Sequence, residues 1–262
     1  MSHWILLVAP LAIASFVLLF AFVGCGLNSQ GTGFPPDDDE GRDYKSAVTK
    51  QTTIVSYWRL GEGDTGQPAE DSFGSNDGKY VGDVTLGQPG LLASDTDTAA
   101  QFDGATAQVE LPNVVDVTKA FTIECWVRPA ALNGAPTIVS QLDGTGTGRA
   151  LLFVAVGGNF ASNLGGTTHD SGFTAAADTT YYVVFTFAGG ADGAWTFYVD
   201  GKQTASGTAT GENADGEWRI GVNKLGAEFW NGTIDEVAVY NSALDAGEIG
   251  AHFSLGSTVM TP

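Results

Sequence analysis

Residues 231–253 constrain the fold of this chain more than any other stretch of the sequence. They read NGTIDEVAVYNSALDAGEIGAHF, and the first half has the alternating apolar pattern of a half-buried strand. Asp245 stands three residues before Glu248, which is the spacing of a helix N-cap and its capping-box partner. The stretch therefore predicts a strand followed directly by a short helix that begins at Asp245.

The sequence between residue 54 and this helix predicts strands throughout. Of the 262 residues, 36 are glycine and only 16% are charged, which suits a turn-rich all-β domain. Alternate apolar residues predict the inward face of one central strand, namely Phe121, Ile123, Cys125 and Val127. Cys125 is expected to be a buried, unpaired thiol, with no disulfide to Cys25. The repeated short segments, over about 200 residues, predict a two-sheet antiparallel sandwich.

Six phrases of the sequence resemble the landmarks of one family and occur in the family's order. They are SYWRLGE at 56–62, DSFGSNDG at 71–78, QFDG at 101–104, FTIECWVRP at 121–129, FYVDGK at 197–202 and the stretch at 231–253. In these phrases the chain is similar to the laminin-G-like, concanavalin A-like jelly-roll family over residues 54–256. The resemblance implies an antiparallel jelly-roll sandwich with a short C-terminal helix, in an extracytoplasmic recognition domain.

An uncharged apolar stretch at residues 4–24 predicts one transmembrane helix. Its 21 residues would span about 30 Å as a helix, the thickness of the hydrocarbon core of a bilayer. Small residues before Cys25 also resemble the processing site of a bacterial lipoprotein, which would be acylated at Cys25. A cleaved secretory signal is the third alternative. All three alternatives place the folded domain on the extracytoplasmic side of a membrane.

These patterns divide the chain into four segments. An anchor or leader occupies 1–25, an acidic Gly/Pro linker 26–52, the jelly-roll domain 53–256 and a tail 257–262. The linker contains four consecutive acidic residues at 37–40, whose mutual repulsion predicts an extended segment too polar to pack. The formal charge of the chain is −19, which argues against nucleic acid as a partner and is compatible with cations and neutral glycans.

The loop at 71–78 predicts a structural calcium site. Calcium takes about six to eight oxygen ligands from carboxylates, amides and backbone carbonyls. By resemblance to the family, Asp71 and Asp235 would supply carboxylates and Asn76 an amide or carbonyl oxygen. The alternative is that Asp71 and Asn76 cap turns while Asp235 fixes the end of a strand.

The sequence predicts that the chain is not an enzyme. Related jelly rolls include laminarinase-type glycoside hydrolases, which need two carboxylates on one face of a strand. Neighbouring residues of a strand point to opposite faces, so Asp235 and Glu236 are not expected to act together. Glu124 is a lone carboxylate beside Trp126.

A glycan or a protein surface is the predicted ligand. Sugar rings stack on aromatic faces, so Trp230, with Glu228 and Asn231 beside it, is the predicted ligand-binding group. Rim loops at 143–148, 163–172 and 209–217 are further candidates. The predicted function is a membrane-tethered recognition or adhesion module. The alternative is a non-catalytic accessory subunit whose helix docks in a larger membrane assembly.

Overall fold

The strands of the domain form two antiparallel sheets that pack face to face. The computed structural model describes Met1 and residues 43–93, 95–142, 148–212, 216–223 and 226–258. Apart from Met1, these residues belong to one compact unit. In chain order the elements are α1 (Tyr44–Thr49), β1 (Ile54–Trp58), β2 (Lys79–Val81), β3 (Thr85–Pro89), β4 (Thr98–Asp103), β5 (Gln108–Leu111), β6 (Phe121–Ala131), β7 (Thr137–Leu142), β8 (Gly148–Val154), β9 (Asn159–Leu164), β10 (Thr167–Thr174), β11 (Tyr181–Phe187), β12 (Gly193–Val199), β13 (Lys202–Ala209), β14 (Trp218–Ile220), β15 (Asn231–Tyr240) and α2 (Ala246–Ser257).

Strand β15 lies inside the larger sheet and pairs with β6, β4 and β1. That sheet has the order β13-β12-β11-β6-β15-β4-β3, and β1 also pairs with β15. The first half of β15 pairs with β4, and the second half pairs with β1. Between the two halves the register shifts, and Glu236 adopts a left-handed backbone with φ of 54°. The second sheet has the order β10-β9-β8-β7-β14-β5-β2.

The main core lies between the two sheets. The predicted inward face of β6 is confirmed, since Phe121, Ile123, Cys125 and Val127 all belong to this core. Several large aromatic side chains fill the same space without solvent exposure, among them Trp58, Trp218, Trp230, Phe102, Phe160 and Phe185. The predicted all-β sandwich is thus confirmed.

The outer face of the larger sheet is covered by both helices. Trp126, which alternates with Cys125 along β6, belongs to a second apolar cluster with Tyr182 and with Ile249 of α2. Helix α2 begins as predicted, because the Asp245 carboxylate accepts hydrogen bonds from the N–H groups of Gly247 and Glu248, and the Glu248 carboxylate accepts one from the Asp245 N–H.

Helix α1 corrects, for the described residues 43–52, the prediction that the segment 26–52 is an extended linker too polar to pack. Asp43 caps the helix by accepting a hydrogen bond from the Ser46 N–H. Tyr44 and Val48 stand four residues apart, so they share one face of the helix, and both are buried in the second cluster. The packed part of the domain therefore begins about ten residues earlier than the sequence predicted.

Other predictions on loops and on the membrane have mixed outcomes. Residues 163–172 belong largely to β9 and β10, so they are not the open rim loop that was predicted. Residues 4–24, Cys25, and most of the loop at 143–148 lie outside the described residues. Within the described ranges, neither helix is long and apolar enough to cross a membrane.

Candidate functional site

A polar groove runs along the loop that follows β1. It consists of three adjoining cavities with volumes of about 250, 290 and 610 Å³. The first two share Lys45 and Arg59, and the second and third share Glu62, Gln67 and Glu70. The remaining lining residues include Asp43, Tyr44, Leu92, Asp95, Asp97, Asp71, Gly74, Ser75 and Asp77. We call this feature the Arg59 groove.

Asp71 shapes the loop at 71–78 on one side of the Arg59 groove. Its Oδ1 accepts hydrogen bonds from the N–H groups of Tyr57 at 2.9 Å, Phe73 at 3.2 Å and Gly74 at 2.8 Å. Its Oδ2 accepts one from the N–H of Asn76 at 3.0 Å. A Cβ on Gly74 would come within 2.5 Å of Asp71 Oδ2, so only glycine fits this turn. The carboxylate of Asp71 is therefore engaged by the backbone of its own loop and of β1.

Arg59 occupies the middle of the groove and joins three carboxylates. Its guanidinium forms ion pairs with Asp97 at 2.9 Å and with Glu236 at 2.9 Å, and it also pairs with Asp95. Glu236 accepts a further hydrogen bond from the Tyr57 hydroxyl, and burial raises the pKa of Glu236 well above its usual range. Because a raised pKa favours the neutral acid of Glu236, the positive charge of Arg59 is compensated within the protein chiefly by Asp95 and Asp97.

Asp235 lies beneath the same region with one oxygen unsatisfied. The side chain is 2% exposed, and Oδ2 accepts a hydrogen bond from the Leu91 N–H at 2.8 Å. Oδ1 has no hydrogen-bond partner among the described residues. Burial raises the pKa of Asp235 to about 7, although the Leu91 N–H and the charge of Arg59 act in the opposite direction.

The bulge in β15 corrects the argument that Asp235 and Glu236 must face opposite sides. Regular alternation would separate neighbouring side chains, but the register shifts between Asp235 and Ala238, and Glu236 is left-handed. Arg59 contacts Glu236 at 2.9 Å, and its charge partly opposes the rise in the pKa of Asp235 that burial causes. Both carboxylates therefore lie within the electrostatic reach of one guanidinium.

The three predicted calcium ligands do not form a complete set of oxygen donors. The oxygens of Asp71 already accept four N–H groups. The Asn76 amide donates to Ser56 Oγ at 2.6 Å, and its backbone carbonyl accepts from the Trp58 indole at 2.9 Å. Only Asp235 offers a free carboxylate oxygen, and the described residues contain no group of three or more His, Cys, Asp or Glu side chains able to hold a metal. The residues thus fit the alternative of turn and strand caps better, and calcium stays a prediction.

The structure also places the predicted ligand-binding residues away from a usable aromatic surface. Trp230 has no exposure and belongs to the main core, so a sugar ring cannot stack on it. Asn231 begins β15 opposite Asp103, and the exposed Glu228 accepts a hydrogen bond from the Asn223 amide at 2.5 Å. The prediction of stacking on Trp230 is therefore not supported by this geometry.

Phe73 is the aromatic residue that sequence reasoning missed. Its side chain is 47% exposed and it lies between Ser72 and Gly74, which both line the Arg59 groove. The signal was present in the sequence, because a phenylalanine between serine and glycine in a turn belongs to no apolar alternation. An exposed aromatic residue therefore stands in the chain between two residues that line the groove.

Comparison with known proteins identifies the family and the fold. The family described as the concanavalin A-like lectin/glucanases superfamily matches residues 103–250, more than half of the chain. No curated protein matches the chain in sequence. Domain 4 of AbnA, a GH43 extracellular arabinanase from Geobacillus stearothermophilus solved in complex with arabinotriose, superposes with a TM-score of 0.58 at 20% identity, covering 76% of this chain and 98% of that domain.

Two further solved structures share the fold over most of this chain. Trypanosoma rangeli sialidase in complex with sialic acid matches with a TM-score of 0.58 at 18% identity, over 80% of this chain and 36% of the sialidase. The binding domain of Paraclostridial Mosquitocidal Protein 1 matches with a TM-score of 0.57 at 13% identity, over 77% and 52% of the two chains. This chain thus spans about a third of the sialidase's length.

These matches correct the prediction that the chain is not an enzyme. The arabinanase and the sialidase are enzymes. The lack of a paired-carboxylate motif is therefore not sufficient to exclude enzymatic activity for a chain of this fold. At these identities the likeness concerns the fold alone. From the family match over residues 103–250, together with the two-sheet sandwich and its short C-terminal helix, the chain belongs to the concanavalin A-like lectin/glucanases superfamily.

Proposed function

We propose that this chain binds a neutral saccharide in the Arg59 groove, with one sugar ring stacked on Phe73. The observation that carries the proposal is the exposure of Phe73, whose chain neighbours Ser72 and Gly74 both line the polar groove. Sugar rings present apolar C–H faces to aromatic rings, and their hydroxyls donate hydrogen bonds to carboxylates and amides. Glu70, Asp77 and Gln67 line the adjoining cavity and supply such acceptors.

The charge of the groove favours a neutral sugar over an acidic one. Lys45 and Arg59 are the basic lining residues, and Arg59 is already paired with three carboxylates. The whole chain carries a formal charge of −19, so an anionic sugar approaches a surface of like charge. The arabinotriose bound to domain 4 of AbnA, a domain of similar fold, supports a neutral oligosaccharide, whereas the sialic acid of the sialidase complex is disfavoured here.

Titration calorimetry with the folded chain tests this function. Neutral oligosaccharides of pentoses and hexoses are compared with sialyl-lactose, and saturable binding is expected only for a neutral one. Phe73→Ala removes the stacking surface and should weaken binding by roughly five- to tenfold, corresponding to about 1–1.5 kcal/mol.

Val156→Ala is the matched control for Phe73→Ala. Val156 is also exposed, at 86%, but it follows β8, which is separated from β2 by three strands in the smaller sheet. This variant should bind like the unmodified chain. Equal affinity of Phe73→Ala and the unmodified chain, or tighter binding of the acidic sugar, would refute the proposed site.

The membrane attachment and the calcium ion remain proposals that rest on sequence. The apolar stretch at 4–24 supports a tether that holds the domain outside the cytoplasm. Protease accessibility in intact cells and intact-mass analysis of the membrane fraction separate a retained helix from acylation at Cys25. Recovery of the chain solely from the cytosol would exclude both.

A further inference from the structure

A row of polar side chains crosses the outer face of the larger sheet. Arg128 of β6 lies opposite Thr233 of β15, and Thr233 lies opposite Gln101 of β4. Residues directly opposite each other share one face of a sheet, with Cβ atoms about 5 Å apart. The face is the outer one, because Arg128 alternates along β6 with Val127 of the main core. Three adjacent strands therefore place a cation, a hydroxyl and an amide side by side.

These three side chains line a cavity that shares no lining residue with the Arg59 groove. Its volume is about 220 Å³, and its other lining residues are Gln88, Pro89, Leu91, Ala130 and Asp178. We call it the Arg128 cavity. At about 30 Å³ for each water molecule in the liquid, it has the capacity of a few waters or of one sugar ring.

The guanidinium of Arg128 has unused hydrogen-bonding capacity. Three other arginines of the described ranges each form an ion pair with a carboxylate, namely Arg59, Arg149 and Arg219. Arg128 forms no ion pair and no side-chain hydrogen bond within the described part of the chain. A guanidinium carries five N–H donors, so those of Arg128 are free for a ligand.

The cavity offers acceptors as well as donors. The Thr233 hydroxyl donates to Gln101 Oε1 at 3.0 Å, which fixes the floor of the cavity. The amide of Gln88 and the carboxylate of Asp178 form no hydrogen bond with any residue that the structure describes. Each sugar hydroxyl both donates and accepts hydrogen bonds. The mixture of a free guanidinium, a free amide and a free carboxylate therefore suits a neutral sugar.

One fixed segment separates the Arg128 cavity from the Arg59 groove. Leu91 lines the Arg128 cavity, and the next residue, Leu92, lines the first cavity of the groove. The Leu91 N–H donates to the buried Asp235 Oδ2 at 2.8 Å. A Cβ on Gly90 would come within 2.5 Å of the Asp97 carbonyl oxygen, so the backbone packs tightly there. The wall between the two cavities is thus preformed.

We propose that the Arg128 cavity binds one further sugar ring of the neutral oligosaccharide that occupies the Arg59 groove, with the oligosaccharide crossing the chain at Leu91 and Leu92. Arg128 donates to a hydroxyl of this ring, and Asp178 and Gln88 accept from its neighbours. The inference rests on the proposed function and extends it, because it makes the length of the saccharide a determinant of affinity. The carboxylate of Asp178 in the same cavity disfavours an acidic ring.

Titration calorimetry of the folded chain with saccharides of increasing length tests this inference. The probes are linear oligosaccharides of arabinose and of glucose, from two to six sugars long. Affinity should rise about tenfold at the length that reaches both cavities, as expected for one hydrogen bond to a charged group, and should then stay level.

Variants assign this gain to the Arg128 cavity. Arg128→Gln should bind the hexasaccharide about tenfold more weakly and the disaccharide with unchanged affinity. Gln88→Ala should show the same selectivity with a loss of about threefold, because its hydrogen bond is uncharged. Lys202→Gln is the control. It removes the same charge from an exposed residue of β13, three strands away from β6 in the larger sheet, and should bind both saccharides like the unmodified chain.

Three results overturn the inference: an affinity that does not depend on length, an equal loss for short and long saccharides in Arg128→Gln, or tighter binding of a uronate-containing hexasaccharide than of the neutral one. Normal binding by Arg128→Gln together with weak binding by Phe73→Ala refutes this inference but not the proposed function. A selective loss in Arg128→Gln together with normal binding by Phe73→Ala refutes the stacking on Phe73 and leaves the Arg128 cavity as the saccharide site. Absence of binding for every probe refutes both.

Discussion

Replacement of Asp71 by asparagine tests whether this carboxylate is an organiser of the loop at 71–78 or a ligand for a metal. Its four hydrogen bonds come from the N–H groups of Tyr57, Phe73, Gly74 and Asn76. The side chain is only 6% exposed, so water cannot replace these bonds fully. The substitution keeps the shape of the side chain and changes its charge and one of its acceptors.

The expected loss of stability follows from these four bonds. The amide oxygen of Asp71→Asn still accepts three N–H groups, but without the charge each bond is weaker by about 1 kcal/mol. The new NH₂ group faces the N–H of Asn76, which leaves a buried donor unpaired at about 1–3 kcal/mol. Since the loop relaxes in part, the free energy of unfolding should fall by about 4 kcal/mol, and the Tm by about 8–16 °C.

Urea unfolding followed by circular dichroism measures this loss, with Asp103→Asn as the control. Asp103 also accepts three backbone N–H groups, from Ala105, Thr106 and Ala107, but at the surface, so its loss should be about 1–2 kcal/mol. A loss for Asp71→Asn no larger than for Asp103→Asn would refute the reasoning. Repeating the series with calcium and with EDTA adds a second result: Asp71→Asn should keep any calcium-dependent stabilisation of the unmodified chain, and its selective loss would identify Asp71 as a ligand.

Two further predictions concern the packing around β6. A Cβ on Gly256 would lie 2.4 Å from the Trp126 ring, whereas one on Gly250 in the same helix meets nothing within 4 Å. Thermal unfolding should therefore show that Gly250→Ala is more stable than the unmodified chain by up to about 1 kcal/mol. Gly256→Ala should be less stable than Gly250→Ala by about 1–3 kcal/mol, and equal stability of the two variants would contradict the contact with Trp126. Burial raises the pKa of the Cys125 thiol, so peptide mapping should find that maleimide labels Cys125 in urea but not in the folded chain. Labelling under both conditions would contradict the burial of Cys125.

The strands could be predicted because their signals are local. Alternation in β6 and the capping box of α2 each involve residues a few positions apart, and the structure confirms both. Helix α1 gave no comparable signal, because six residues span fewer than two turns and only Tyr44 and Val48 mark an apolar face. The acidic residues before it suggested a linker, and tertiary packing against α2 and β1 outweighed that preference.

The candidate site was harder to predict because its contacts are distant in sequence. Arg59 meets Glu236 across 177 positions, and Tyr44 and His252 meet Glu124 across 80 and 128 positions. No local pattern relates such pairs. The exposure of the aromatic side chains was also predicted wrongly. Trp230 was expected to stack against a sugar ring, but it is buried in the core, whereas the smaller Phe73 is exposed.

The bulge in β15 explains why the groove forms beside Arg59. Because β4 pairs with the first half of β15 and β1 with the second, the bulge falls where the two neighbouring strands meet. There Glu236 is left-handed, and Asp235 keeps an unpaired buried oxygen. A left-handed non-glycine residue and a buried unsatisfied carboxylate both lower stability, and neutral side chains with regular pairing would remove both costs. A left-handed residue and an unsatisfied buried carboxylate beside a polar groove are typical of functional sites. Their occurrence together supports ligand binding at the Arg59 groove over a purely architectural role for Asp235 and Glu236.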